Sequence, residues 1–230
     1  NAWGICDEDI YKQAIRYADK SSAAHTPFFQ FVMTTSNHKP YTFPEDKIDL
    51  PQGNRNAAVK YTDYALGKFI AEAQKKPWFK HTVFVIVADH CASSAGKWEI
   101  NIDKHHIPAI IYNLPRKPQR IDRLASQIDL MPTLFGYLNW NYVTALYGKD
   151  INQMKRGEER AFIGNYRTLG MLKENLFSQI DDRKRVTQFR VSAKDQSFSE
   201  QKNLNKELVN ETISYYQTAS ERFKNGKMRE

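Results

Sequence analysis

The sequence predicts an α/β protein with a mostly parallel, buried sheet flanked by helices, followed by a small antiparallel meander and a closing helix. Residues 82–88 form an apolar, β-branched run without alternation, which is typical of a strand that is covered on both faces. Similar runs occupy residues 28–34 and 107–112. Short apolar runs separated by polar turns in residues 160–191 indicate the antiparallel meander.

Helical spacing of apolar residues predicts the helices between these runs. A first helix begins at Asp7, where acidic residues suit the positive end of the helix dipole. Residues 54–75 predict a long amphipathic helix with one core face, formed by Ala58, Tyr61, Ala65, Phe69 and Ala73. A third helix is expected within residues 124–138, interrupted by Pro132. Asp129 is expected to cap the helix that contains this proline in its first turn, and not to act as a catalytic residue. The closing helix is expected where Leu204, Leu208, Ile213 and Tyr216 recur.

Composition restricts the classes of function. The chain of 230 residues has 41% hydrophobic content, a net charge of +8 and an isoelectric point near 9.3. No apolar run approaches the roughly 20 residues of a membrane span. The positive excess in the last third is either a solvated basic face or a surface for anionic lipid headgroups or a phosphate-rich substrate. Motifs that bind nucleic acid are missing from the sequence, so nucleic acid is not expected as a partner.

The candidate metal ligands are Asp89 and His90, which directly follow the run at 82–88. Ligands of open α/β sheets lie beyond the carboxyl ends of the strands. Neighbouring side chains converge on one ion only if the chain turns there, and the small residues 91–96 allow a turn. A carboxylate and an imidazole accept Mn²⁺, Zn²⁺ or Mg²⁺ without choosing among them. The alternative is a solvated loop start.

Other polar residues lie at strand margins. His38 follows the run at 28–34, and His105 and His106 precede the run at 107–112. Lys97, in the loop after His90, is either a solvated lysine or a positive charge directed at an anionic substrate group. The two cysteines, Cys6 and Cys91, are free thiols or a bridge, and bridging is disfavoured because Cys91 lies beside the candidate site.

Four segments together resemble the sulfatase-like family of the alkaline phosphatase superfamily, which includes lipoteichoic acid synthase and related phosphoglycerol and phosphoethanolamine transferases. They are Trp-Gly-Ile-Cys-Asp-Glu-Asp at residues 3–9, Thr-Ser-Asn-His-Lys-Pro-Tyr at 35–41, Val-Ala-Asp-His at 87–90 and Asp-Leu-Met-Pro-Thr at 129–133. They occur in the family's order over roughly the first 165 residues. The resemblance implies an alkaline phosphatase-like fold.

The resemblance also implies roles for individual residues. Asp89 and His90 match the family pair that binds the catalytic divalent metal. His38 matches the histidine of the Asn-His-x-Pro motif, which contacts the transferred group of the substrate. His106 resembles a further active-site histidine that meets either the substrate or a second metal, and it is preferred over His105. Lys97 resembles the basic residue that contacts sulfate. The family's nucleophile and an earlier acidic metal ligand are expected upstream of Asn1, so this chain contains no catalytic nucleophile; Thr34 and Thr35 occupy ordinary strand-end positions.

The expected function is therefore a fragment of a metal-dependent phosphoglycerol- or phosphoethanolamine-type transferase or related ester hydrolase. Residues 1–158 would be the C-terminal part of the catalytic domain, and residues 159–230 a small sheet and terminal helix packed on it. The substrate would be a phosphate or sulfate ester, with a lipid-linked one left open. By resemblance the parent protein faces outward from a bacterial membrane, in the periplasm or at the cell surface, tethered by helices absent here. The alternatives are a sulfatase and a non-catalytic module that binds anionic surfaces.

Overall fold

Four α-helices and seven strands lie in residues 1–92, 100–192 and 197–228, which are the residues that the computed structural model describes. The chain divides into two compact units, Asn1–Val83 and Phe84–Glu230. Each unit has its own hydrophobic cluster. No helix in the described ranges combines the length and apolar character needed to cross a membrane.

The first unit is built on a pair of packed helices, α1 (Asp7–Ala23) and α2 (Arg55–Ala73). The side chain of Asn54 caps α2 by accepting a hydrogen bond from the Ala57 amide at 2.9 Å. Most of the core face predicted for this helix is confirmed, since Ala58, Tyr61, Ala65 and Ala73 are all buried and Phe69 is partly buried. Tyr61 stacks on Phe43 with ring centroids 4.8 Å apart, which fixes the loop before α2 on the helix pair.

The prediction of a buried strand at residues 28–34 is wrong. This segment has no strand pairing in the described structure, and the odd-numbered Phe29, Phe31 and Met33 are exposed. The even-numbered positions face the helices, because the Gln30 amide donates to the Ala14 carbonyl at 3.1 Å and Val32 packs on the core. An unbroken apolar run shows that burial is possible on both faces, but it does not show that both faces find partners.

The second unit begins with a two-stranded sheet, β1 (Phe84–Val87) and β2 (Ala109–Tyr112). The strands are antiparallel, with Phe84 opposite Tyr112 and Val87 opposite Ala109. The expectation of a mostly parallel sheet is therefore not met, because every strand pair in the described residues is antiparallel. Parallel neighbours need a crossover connection, usually a helix, whereas the described part of this connection contains only a 3₁₀ turn, Ile102–His105.

The antiparallel meander predicted for residues 160–191 is confirmed. Its strands pair in sequence order. The four predicted strands are β3 (Arg160–Gly164), β4 (Thr168–Lys173), β5 (Leu176–Asp181) and β6 (Val186–Val191). A short fifth strand that the sequence did not indicate, β7 (Phe198–Glu200), pairs with β6. Phe177 and Leu172 bury their side chains in the unit's hydrophobic cluster.

Two helices complete the second unit. Helix α3 (Leu130–Tyr137) follows a 3₁₀ turn, Gln127–Asp129. Asp129 lies at the N-cap position of α3, as predicted, but its carboxylate closes the capping box of the 3₁₀ turn by accepting the Ser126 amide at 2.8 Å and makes no capping hydrogen bond to α3 itself. The closing helix is confirmed as α4 (Lys206–Lys224), which packs on β4 and β5. The hydroxyl of Tyr216 donates to the Gly170 carbonyl at 3.0 Å and joins this helix to the sheet.

Candidate functional site

The side chains of Asp89 and His90 face each other just beyond the end of β1. The Asp89 carboxylate accepts the His90 backbone amide at 2.8 Å, which turns the chain at this point. Its other oxygen, Oδ2, lies 3.5 Å from His90 Nε2. The amide of Gln127 donates to the Ala88 carbonyl at 2.9 Å and holds the preceding backbone. The local turn therefore brings two neighbouring side chains to one place, as the sequence required for a shared ligand.

This pair is open to solvent. The side chains of Asp89 and His90 are 82% and 59% exposed. In the described ranges no group of three or more His, Cys, Asp or Glu side chains is placed to hold a metal ion. The pair thus presents one oxygen and one nitrogen donor, and the described residues do not complete a coordination shell around them.

The backbone of His106 lies at the same edge of the sheet. The thiol of Cys91 donates to the His106 carbonyl at 3.1 Å, and the Ala88 amide lies 3.4 Å from the Pro108 carbonyl. A parallel pairing would have placed the start of β2 at the opposite end from Asp89. The antiparallel register, which the sequence analysis did not anticipate, brings the segment before β2 next to the segment after β1.

The remaining candidates near this edge differ in what the structure shows. His105 Nδ1 lies 2.7 Å from the Asn101 carbonyl within the 3₁₀ turn. Lys97 lies outside the described residues. Neither Cys6 nor Cys91 forms a disulfide, so the bridge that the sequence left open is not formed.

His38 belongs to the first unit, in a tight turn on the surface. The Tyr41 amide closes the turn by donating to the His38 carbonyl at 2.7 Å, and the peptide bond between Lys39 and Pro40 is cis. The indole of Trp3 packs edge-on against the imidazole with ring centroids 4.5 Å apart and donates to the Lys39 carbonyl at 2.8 Å. The Trp-Gly segment therefore fixes the ring that the sequence singled out.

Asp7 is a residue whose importance the sequence analysis missed. It is fully buried, and its Oδ1 accepts the backbone amides of Thr35 and Ser36 at 3.1 and 2.9 Å. Its Oδ2 accepts the Thr62 hydroxyl at 3.1 Å. Asp7 thus holds the loop that leads into His38, beyond any contribution to the helix dipole. An acidic residue in a first turn is ordinary, and only its burial distinguishes this one.

Glu8 is the neighbouring buried acid, and cations surround it. Its Oε1 accepts Lys68 Nζ at 2.9 Å, and the Tyr61 hydroxyl donates to Oε2 at 3.3 Å. Burial raises the pKa of Glu8, but the hydrogen bond and charge of Lys68, with the charge of Lys47 and the tyrosine hydroxyl, lower it below its ordinary value. Glu8 is therefore a structural anion that ties α1 to α2.

The second unit also has a cavity of about 380 Å³ away from these residues. Trp140, Tyr142, Lys149, Asp150 and Glu158 contribute to its lining. None of the candidate residues that the structure describes, namely His38, Asp89, His90, His105 and His106, lines this cavity.

Comparison with known proteins identifies the family. The family model described as Sulfatase matches residues 1–140, which is more than half of the chain. The chain belongs to the sulfatase family. The matched range contains every residue that the sequence singled out, namely His38, Asp89, His90, Lys97 and His106.

The relatives of this sulfatase-family chain include lipoteichoic acid synthases. It is 27% identical over 163 residues to the lipoteichoic acid synthase-like YvgJ of Bacillus subtilis, covering 60% of this chain and 26% of the relative. It is 29% identical over 176 residues to lipoteichoic acid synthase of Staphylococcus saprophyticus, covering 65% and 27%. The chain thus spans about a quarter of the length of these curated relatives.

A solved structure matches the fold of all 230 residues of this chain. A protein of the alkaline phosphatase superfamily from Vibrio parahaemolyticus matches with a TM-score of 0.91 and 30% identity, covering 100% of this chain and 57% of that one. The match includes the meander and α4, which lie beyond the residues matched by the family model. The alkaline phosphatase superfamily fold expected from the sequence is confirmed, and these relatives indicate a family of ester transferases and hydrolases.

Proposed function

We propose that this chain is part of the catalytic domain of a metal-dependent phosphoglycerol- or phosphoethanolamine-type transferase or a related ester hydrolase. The observation that carries the proposal is the pairing of Asp89 Oδ2 and His90 Nε2 at 3.5 Å, within the segment matched by the family. The similarity to lipoteichoic acid synthases favours transfer of a phosphoglycerol-type group.

The spacing of the two donor atoms suits a shared ion. Two ligands bound about 2.1 Å from one tetrahedral ion lie about 3.4 Å apart. The 3.5 Å separation of Asp89 Oδ2 and His90 Nε2 is close to this value, and both atoms are accessible. The donor types accept Mn²⁺, Zn²⁺ or Mg²⁺. When bound, such an ion supplies Lewis acidity that polarises a phosphoryl or sulfuryl oxygen.

The other site residues would act on the transferred group. His38, His106 and Lys97 would donate hydrogen bonds or positive charge to its anionic oxygens, because charge stabilisation dominates such transfers. Asp7 and Trp3 would position His38, since Asp7 fixes its loop and Trp3 packs against its ring. Asp89 and His90 would hold the ion through one carboxylate oxygen and one imidazole nitrogen.

The proposal places the nucleophile and a further acidic metal ligand in a preceding part of the protein. It is supported by the small share of the relatives that this chain spans and by the two-donor pair. Residues 1–158 would then be the C-terminal part of the catalytic domain, and residues 159–230 a sheet and helix packed on the same domain. The residues described here would bind metal weakly and would not turn over substrate alone.

The substrate that we propose is a phosphate or sulfate ester, including a lipid-linked one. The corresponding location is the outer face of a bacterial membrane, periplasmic or at the cell surface, with an anionic membrane surface nearby and no role for nucleic acid. The net charge of +8 suits both an anionic substrate and such a surface.

A true sulfatase is the second candidate, favoured by the family model itself. The two candidates differ in the nucleophile. A Cys-x-Pro/Ala-x-Arg signature in a preceding segment would indicate a sulfatase, and an unmodified threonine would indicate a transferase.

The metal assignment can be tested with the 230-residue chain. Calorimetric titration with Mn²⁺ and Zn²⁺ should show weak 1:1 binding that Asp89→Asn and His90→Gln each remove. Asp122→Asn, which changes an exposed acid paired with Arg120, is the matched control and should bind as the parent does. Tight binding that survives both substitutions would refute the ligand assignment.

Activity is tested with the chain joined to its preceding residues. With Mn²⁺ present, phosphoglycerol transfer from phosphatidylglycerol should fall by about a hundredfold or more in Asp89→Asn. Hydrolysis of an aryl sulfate in place of this transfer would support the sulfatase. Full transfer by Asp89→Asn would contradict both candidates.

A further inference from the structure

An exposed apolar segment lies between α3 and β3. Residues 139–148 contain no charged side chain and form no helix or strand. Four large apolar side chains on this segment are exposed: Val143 at 89%, Trp140 at 59%, Leu146 at 57% and Tyr142 at 45%. Such a concentration of exposed apolar groups in one short segment indicates a contact surface.

The base of this segment is held firmly. Trp140 stacks on Phe135 of α3 with ring centroids 5.4 Å apart, and Tyr142 meets the same ring edge-on at 4.9 Å. Thr144 caps the return of the chain by accepting the Leu146 amide at 3.1 Å. The exposed side chains therefore project from a fixed loop, so that contact with a partner does not first require ordering of the segment.

The basic end of α4 lies beside this loop. Arg222 donates to the Ala145 carbonyl at 3.2 Å, and its guanidinium lies 5.8 Å from the centre of the Tyr147 ring. Lys224 is the last residue of α4, and Lys227 follows in the exposed turn after it. Glu221 is the one acidic residue between positions 221 and 228. Apolar side chains and a cluster of cations thus share one part of the second unit.

We propose that residues 140–146 and the basic end of α4 form a docking surface for a bilayer that contains anionic lipids. Trp and Tyr are favoured at the headgroup level, where their apolar rings and polar atoms are both satisfied. Val143 and Leu146 would enter the boundary of the acyl chains, while Arg222, Lys224 and Lys227 contact anionic headgroups. The cations make this surface better suited to a lipid bilayer than to an uncharged protein groove.

This surface differs from the basic face that the sequence suggested. The run at 183–185 is a separate basic feature on the turn between β5 and β6, and Arg185 there is already paired with Asp181. The proposal rests on the membrane location proposed above and is independent of the proposed chemistry, because bilayer binding requires neither metal nor ester substrate. Loss of turnover in the proposed enzyme would leave it unaffected.

The test is co-sedimentation of the 230-residue chain with vesicles of phosphatidylcholine and phosphatidylglycerol in a 3:1 ratio. Val143→Ser with Leu146→Ser should lower the partition coefficient by about tenfold, because two apolar side chains no longer enter the boundary. Lys224→Glu with Lys227→Glu should lower it severalfold on these vesicles and little on pure phosphatidylcholine. Raising the salt concentration should weaken binding of the parent.

Two matched controls distinguish binding through this surface from nonspecific hydrophobic and electrostatic binding. Tyr166→Ser removes a comparably exposed aromatic side chain from the turn between β3 and β4 and should leave binding unchanged. Arg183→Glu with Lys184→Glu makes the same charge change on another turn and should have the smaller effect. All variants alter exposed residues, so unchanged circular dichroism and thermal unfolding are expected.

Three results would overturn the proposal. They are parental binding by the Val143 and Leu146 variant, an equal loss in the Arg183 and Lys184 control, and no vesicle binding by the parent at low salt. The proposal would also fail if Val143→Ser with Leu146→Ser changed the sedimentation mass of the chain without changing its binding to vesicles. The loop would then contact another protein molecule instead of lipid.

Discussion

The carboxylate of Asp7 accepts the backbone amide of Ser36 at 2.9 Å, and the hydroxyl of Ser36 accepts the backbone amide of Asp7 at 3.2 Å. Both residues are buried. This reciprocal pair joins the start of α1 to the loop before His38, although 29 positions of sequence separate the two residues. The segment that resembles the family's Trp-Gly motif thus supports the segment that carries its histidine.

Replacement of Asp7 should destabilise the first unit. Asp7→Ala leaves the buried amide of Ser36 and the half-buried amide of Thr35 without their acceptor, which should lower the free energy of unfolding by about 3 kcal/mol. Urea unfolding measures this value, and amide hydrogen exchange at residues 35–38 should become faster. Asp9→Asn is the matched control on the same helical turn, because Asp9 is exposed and pairs with Lys12, and it should change stability by less than about 0.5 kcal/mol. Equal losses in the two variants would contradict the assignment.

Breaking the buried ion pair between Arg160 and Asp129 should strongly destabilise the second unit. Arg160 Nη1 donates to Asp129 Oδ2 at 2.7 Å, both side chains are at most 1% exposed, and Nη2 donates to the Tyr147 carbonyl at 3.1 Å. Arg160→Met leaves a buried carboxylate without its cation and should cost about 3–5 kcal/mol in urea unfolding.

A double substitution tests whether the pair itself is responsible. Asp129→Asn with Arg160→Met should lose clearly less than the sum of the single losses, because no buried charge is then left alone. Arg120→Met, which breaks an exposed pair with Asp122, should cost less than about 1 kcal/mol. Additive losses in the double variant would show that packing of the arginine, rather than its charge, stabilises the unit.

Glu159 should make stability depend on pH in the acidic range. Hydrogen bonds from Arg123, aided by backbone amides, lower the pKa of Glu159 from 4.5 to about 2. Because this pKa is depressed in the folded state, its stabilising contribution is complete above about pH 4.5 and is lost as the pH falls toward 2. The difference in urea midpoint between the parent and Glu159→Gln should therefore shrink over that interval. In an Arg123→Gln background the same substitution should have little further effect, and a difference that is constant with pH would refute the linkage.

Gly148 should tolerate no side chain. A Cβ at this position would overlap the backbone carbonyl of Ile128, which cannot move aside as a flexible side chain would. Gly148→Ala should therefore lower the free energy of unfolding by about 1–3 kcal/mol or more. Gly67→Ala in α2 has open space around the new methyl group and should instead stabilise by about 0.5–1 kcal/mol. Thermal unfolding distinguishes the two, and a neutral Gly148→Ala would contradict the close approach.

Local patterns in the sequence predicted much of the fold. Helix α2 and its buried face follow from 3.6-residue spacing, and the meander follows from short runs between polar turns. The candidate pair of Asp89 and His90 could also be predicted, because a strand that ends in a small-residue loop places its last polar residues at an edge. These local patterns do not show which other element a strand or helix packs against.

The sequence by itself indicated the family, the helices and meander, and Asp89 and His90 just beyond the end of β1. Tertiary structure alone decided that β1 and β2 run antiparallel, which puts the His106 backbone beside Cys91, and that residues 28–34 bury one face only. It also decided that Asp7 is a buried acceptor rather than a surface charge. The physical reason is that periodicity reports the faces of one element, whereas strand direction and burial of a carboxylate depend on groups that are distant in the chain.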